Sequence, residues 1–188
     1  MTQVVLDAAG TRLAADVVVP DGAVGVVVCA DGDSVAEALN RRGLATVRLD
    51  LLTTRESHRG YDIGLLADRL IATIDHVVAT VGLSVGLFGA SNGGTAALTA
   101  AAARQDTVRA VVSRGGRPDL AGAALTQVNA PTLLIVCAED ALVADLNERA
   151  LPILAGPKEL RVVPGPREPG TQDEVAAQAG DWFTGALH

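Results

Sequence analysis

Residues 85–104 read VGLFGASNGGTAALTAAAAR, and at their centre Gly89-Ala90-Ser91-Asn92-Gly93 fits G-x-S-x-G. An apolar, strand-like run, Val85 to Phe88, precedes the motif, and an Ala-rich helical run, Thr95 to Arg104, follows it. A strand that turns sharply into a helix holds one side chain on a strained corner above the sheet. Small residues around Ser91 let the two backbones pass closely. A serine on such a corner is a nucleophile only where a base takes its proton.

Outward from this corner the chain alternates. Val4 to Leu6 and Arg12 to Val19 read as strands joined at Asp7-Ala-Ala-Gly10, an opening hairpin. Strands are predicted at Gly25–Ala30, Ala45–Leu49, Val85–Phe88, Val108–Ser113, Thr132–Cys137 and Leu160–Val163. Helices are predicted at Val35–Arg42, Tyr61–Thr80, Gly93–Arg104, Ala144–Leu154 and Gln172–Leu187. The second of these carries Ile63, Leu66, Leu70, Ile74 and Val77 at helical spacing. Such a pattern implies an α/β protein: a mostly parallel sheet of about eight strands with an N-terminal antiparallel hairpin and helices on both faces. Ligands in these sheets bind outside the carboxyl ends of the strands, where Ser91 falls. No repeat or linker divides the chain, so residues 1–188 are expected to form one domain.

Composition narrows the function classes. Hydrophobic residues are 49% of the 188 and aromatics only 2%, so the core is aliphatic and base-stacking surfaces are not expected. A formal charge of −7 disfavours nucleic acid and anionic membrane as partners. No apolar run reaches the roughly 18 residues that span a bilayer. The start, MTQVVLDAAG, lacks the basic and apolar segments of a signal peptide, so a cytoplasmic location is expected. Cys29 and Cys137 stand apart from any CxxC or Cys/His cluster and read as free buried thiols.

With Ser91 on a strand–helix corner, the chain resembles the α/β-hydrolase superfamily, and within it the dienelactone hydrolase-like proteins. The likeness is strongest at VGLFGASNGGTAAL, at VRAVVSRGGRPDLAG (108–122) and at PTLLIVCAED (131–140), with GLATVRLDLLT (43–53) also typical. It implies an α/β-hydrolase fold, and the short span from Gly115 to Pro131 implies no cap domain. Founding members use a cysteine nucleophile, whereas this chain has serine, as many relatives do. Family chain order is nucleophile, acid, then histidine. By that order Ser91 is the nucleophile, Asp140 the acid that orients an imidazole, and the Asn92 amide an oxyanion donor.

Two departures stand out. The histidine belongs in the loop after the last strand, which here reads Pro164-Gly-Pro-Arg-Glu-Pro-Gly170 and holds no base. The loop after VVVCA, which in relatives supplies an oxyanion amide, is reduced to Asp31-Gly-Asp-Ser-Val35. Asp33 would set a negative charge near a developing oxyanion. Its other reading is a helix cap: Asp33 or Ser34 at the N-cap, with Glu37 at capping-box spacing from Ser34. Of the three histidines, His188 lies at the far end of the closing helix and His76 reads as a surface or boundary residue. His58, in the flexible-looking stretch from Thr53 to Gly60, is the one candidate for a substitute base.

The first reading is therefore a degenerate hydrolase, catalytically impaired or inactive, acting through its pocket or a protein partner. Loss of a triad member costs up to about 10⁶ in turnover, and one oxyanion donor about 10²–10³. The second is an active serine ester or lactone hydrolase using His58 or a residue from another subunit. The third is a structural interaction module. Arg114 and Arg117 form a candidate anion site, which admits a small acyl or anionic ligand; a protein partner or a homo-oligomer also fits. Asp31, Asp33, Asp50, Glu139 and Asp140 fall near strand ends, but acids there serve caps and turns, so no metal and no cofactor are expected.

Overall fold

The computed structural model describes residues 1–30, 33–59, 61–165 and 167–187, with Asp33 described by its backbone alone. The chain runs β1 (Thr2–Ala8), β2 (Thr11–Val18), β3 (Gly25–Ala30), α1 (Asp33–Arg41), β4 (Ala45–Leu49), α2 (Ile63–Val81) and β5 (Ser84–Ala90). It continues through α3 (Asn92–Ala103), β6 (Val108–Arg114), β7 (Thr132–Cys137), α4 (Ala141–Ala150), β8 (Lys158–Val163) and α5 (Thr171–Leu187). The strands form one sheet in the order β1-β2-β4-β3-β5-β6-β7-β8. β1 pairs antiparallel with β2, and β2 antiparallel with β4; every other pairing is parallel. This is the expected mostly parallel sheet with an antiparallel hairpin at its start.

Helices on both faces explain the buried strands. All six residues of β3 are buried, because neither face meets water. One face packs α1 and α5 over Val27, Phe88, Val112 and Ile135, with Leu39 and Phe183 from the helices. The other packs α2 and α3 over Val28, Leu87, Val111 and Leu134. The core is aliphatic and alanine-rich, so α3 lies close to the sheet through Ala96, Ala97, Ala100 and Ala101.

Local chemistry sets the ends of the elements. Asp62 accepts from the Leu65 amide at 3.1 Å and starts α2, and Gly82 at φ 68° closes it. α1 begins at Asp33, two residues earlier than expected, so Ser34 sits within its first turn rather than at the cap. Glu37 faces Arg41 at 4.0 Å on the solvent side instead of reaching back to Ser34. α4 begins at Ala141, capped by Asp140, and ends in a short 3-10 turn, Leu151–Ile153. Two further 3-10 segments, Thr54–Arg59 and Pro118–Gln127, occupy stretches whose sequence shows no helical period. Among the described residues no helix is long and apolar enough to cross a membrane.

Candidate active site

The corner is built by close approach. Ser91 has φ 50° and ψ −124°, and among the described residues only it and Ala9 combine a side chain with positive φ. Such a conformation costs about 1–3 kcal/mol and persists only where its surroundings enforce it. Here they do. The Ser91 amide donates to the Arg114 carbonyl at 2.8 Å, and the Ser91 carbonyl accepts from the Gly94 amide at 3.0 Å. A Cβ on Gly89 would lie 2.2 Å from the Gly93 carbonyl oxygen, and one on Gly94 would lie 2.4 Å from Ser113 Oγ. The strand can enter its helix only with glycine at both positions.

Ser91 is exposed on the floor of a cleft of about 450 Å³. The chain leaves β3 for β4 on one side, while β5 lies on the other, so Ala30 and Ser91 flank the point where the sheet order reverses. Asp50 to Thr54, Ser57 and Leu66 form the opposite wall.

That wall is clamped from behind. Arg69 on α2 is 1% exposed and donates to the Leu51 carbonyl at 2.7 Å, to Thr11 Oγ1 at 2.9 Å and to both Glu56 carboxylate oxygens at 2.9 and 2.7 Å. Glu56 also accepts from the Thr53 hydroxyl at 2.7 Å and the Thr53 amide at 3.1 Å. The hydrogen bonds from Arg69, then those from Thr53, hold the Glu56 carboxyl down at about 2. The stretch from Thr53 to Arg59, flexible-looking in sequence, is thus an ordered 3-10 turn tied to the core. The signal for it was present: Arg69 falls among Leu66, Leu70 and Thr73 on the buried face of α2, and a cation there requires a buried partner.

Asn92, the first residue of α3, lines the cleft beside Ser91; the other catalytic and anion-site candidates are not among its lining residues. His58 is exposed on the 3-10 turn; its neighbour Ser57 lines the cleft and His58 does not. His76 is exposed on α2. His188 is outside the described residues, but Leu187 packs against Gly25 at the amino end of β3, the edge opposite Ser91. Among the described residues no histidine lines the cleft. Asp140 is exposed and accepts from the Val143 amide at 3.1 Å as the α4 cap. Arg117 forms a two-bond pair with Asp119 at 2.8 and 2.7 Å, and Arg114 is half-buried outside the cleft lining.

β3 ends at Ala30 and α1 begins at Asp33; Asp31, Gly32 and the Asp33 side chain lie outside the described residues. After β8, the Gly165 carbonyl accepts from the Glu168 amide and from Thr171 Oγ1, both at 2.9 Å, pulling the loop onto α5. The Glu139 carboxylate packs on Gly165 so closely that a Cβ there would lie 2.3 Å from it. Of the five strand-end acids, Asp50 lines the cleft, Glu139 covers Gly165 and Asp140 caps α4. Among the described residues no group of three His, Cys, Asp or Glu side chains could hold a metal ion. Both cysteines are free; burial pushes the Cys29 thiol up to about 12, and Cys137 is only half-buried.

No protein-family model matches the chain. The crystal structure of a dienelactone hydrolase from Anabaena variabilis is 44% identical, covers 100% of this chain and 98% of its own, and superposes with a TM-score of 0.92. The chain belongs to the dienelactone hydrolase family. Among the described residues no cap domain stands over the cleft, as the short span from Gly115 to Pro131 implied. Est1E from Butyrivibrio proteoclasticus, 14% identical with a TM-score of 0.81 over 98% of both chains, shares the fold. Two Mycobacterium tuberculosis relatives, provisionally named phosphoribosyl transferases, are 47% identical over 91% of this chain. This dienelactone hydrolase homologue spans only 43% of their length. The match runs over 191 positions yet takes in 91% of the 188 residues here, so the relatives carry residues within the matched span that this chain lacks.

Proposed function

We propose that this dienelactone hydrolase homologue binds a small molecule in the Ser91 cleft without turning it over at a hydrolase's rate. The absence of a base from the loop after β8 carries the reading. Family order calls for an imidazole in the loop after β8, between acid and nucleophile. The loop holds none, and the Glu139 carboxylate packs against its Gly165. Ser91 then keeps its proton and is no better a nucleophile than any alcohol. The two-residue link from β3 to α1 leaves little backbone to wrap an oxyanion. More than half of each mycobacterial relative lies outside the match, so the phosphoribosyl transferase name does not bear on this cleft.

Hydrolysis of 4-nitrophenyl acetate tests this. The wild type is expected to match Ser91→Ala; saturable turnover lost in Ser91→Ala would sink the proposal. A second reading, an ester hydrolase with His58 as base, draws on one observation: Ser57 already lines the cleft. It requires that His58→Ala abolish any such turnover.

A further inference from the structure

The chemistry of the cleft wall selects among ligands. Asp50 follows the last residue of β4 and lines the cleft with its carboxylate. Among the described residues no basic side chain lines it. Of the cations on or behind this wall, Arg69 is engaged by Glu56 and Arg59 by Asp62 at 2.8 Å, while Arg55, exposed between Thr54 and Ser57, is not among the lining residues. Arg117, a candidate for anion binding by sequence, is paired with Asp119. Among the described lining residues the opposing field is that of the start of α3, equivalent to about half a positive charge. The balance disfavours an anion.

Hydroxyls complete the wall. Thr54, Ser57 and Ser91 line the cleft, and each can both donate and accept. Thr53 donates its own proton to Glu56 and is left an acceptor. Leu51, Leu52 and Leu66 supply an apolar side. A carboxylate at the end of a parallel strand, beside the point where sheet order reverses, is well suited to accept two hydrogen bonds from neighbouring hydroxyls of a ligand.

We propose that the Ser91 cleft binds an uncharged small molecule with vicinal hydroxyl groups, held by Asp50 and presenting an acceptor oxygen to the start of α3. This rests on the reading of the cleft as a binding site, and it departs from the acyl or anionic ligand expected by sequence.

Glycerol, D-ribose and myo-inositol, each paired with its monophosphate, test the proposal by saturation-transfer NMR and titration. At least one neutral polyol is expected to bind, about tenfold or more tighter than its monophosphate, and about tenfold weaker in Asp50→Ala. Asp50→Asn is expected to narrow the gap between neutral and phosphorylated partners. Asp50 is exposed, and thermal melting of each variant checks that the fold is kept. Absence of binding by every neutral polyol, equal or tighter binding of the monophosphates, or indifference to Asp50→Ala would overturn it. Ester turnover on the same samples separates the two proposals: Ser91-dependent turnover ends the non-catalytic reading and leaves the ligand preference standing, and the reverse holds for the polyol result.

Discussion

The corner at Ser91 and the loop at Gly165 both lie at carboxyl ends of the same sheet, and both are close contacts. They differ in what is touched. At the corner, backbone meets backbone: Gly89 against the Gly93 carbonyl. At the loop, backbone meets the end of a flexible, exposed glutamate. The first contact is needed for β5 to reach α3 whatever Ser91 does. The second is not required by the sheet. A nucleophile corner is therefore a statement about packing before it is one about catalysis, whereas a base-bearing loop answers to catalysis alone.

Substitutions sharpen that contrast. Gly89→Ala is expected to cost about 3 kcal/mol or more in urea unfolding, because no side chain can yield to the new methyl. A stable Gly89→Ala protein would break the packing account of the corner. Arg69→Met is expected to cost about 2 kcal/mol, through lost charge-assisted bonds to Glu56 and to the Leu51 carbonyl. The same clamp gives a pH dependence with a definite sign. The Glu56 carboxyl sits at about 2, below its ordinary 4.5, so its stabilising effect is complete above that ordinary value and fades as pH falls from there towards 2. Glu56→Gln should lower stability at neutral pH and flatten this acid limb. Ser91→Gly should raise stability by about 1 kcal/mol by releasing the positive φ. Gly165→Ala should change it by less than about 0.5 kcal/mol, since Glu139 can swing into solvent. A loss there as large as that of Gly89→Ala would abolish the contrast between the two contacts.

Much of this architecture was legible because its signals are local. Alternating strand and helix periods gave the sheet, and the glycines flanking Ser91 gave the corner. The family followed from those motifs and stands on the 44% identity to the Anabaena structure. The cleft wall was harder to read. The Thr54–Arg59 turn has no period of its own and owes its order to Arg69, which pairs with it across 13 residues. The Glu139 contact with Gly165 joins two loops that only the pairing of β7 with β8 brings together. The 3-10 segment Pro118–Gln127 shows no helical period in the sequence, because its side chains bury only Pro118 and Leu125, too few to form a stripe.

The central claim is that Ser91 stands on a hydrolase corner without a base to activate it. Labelling with a fluorophosphonate, read by intact mass, tests this most directly, since the probe reports the nucleophilicity of the hydroxyl without requiring a substrate. The account predicts no adduct on the wild type beyond that seen on Ser91→Ala. A single stoichiometric adduct on Ser91, absent from Ser91→Ala, would contradict it.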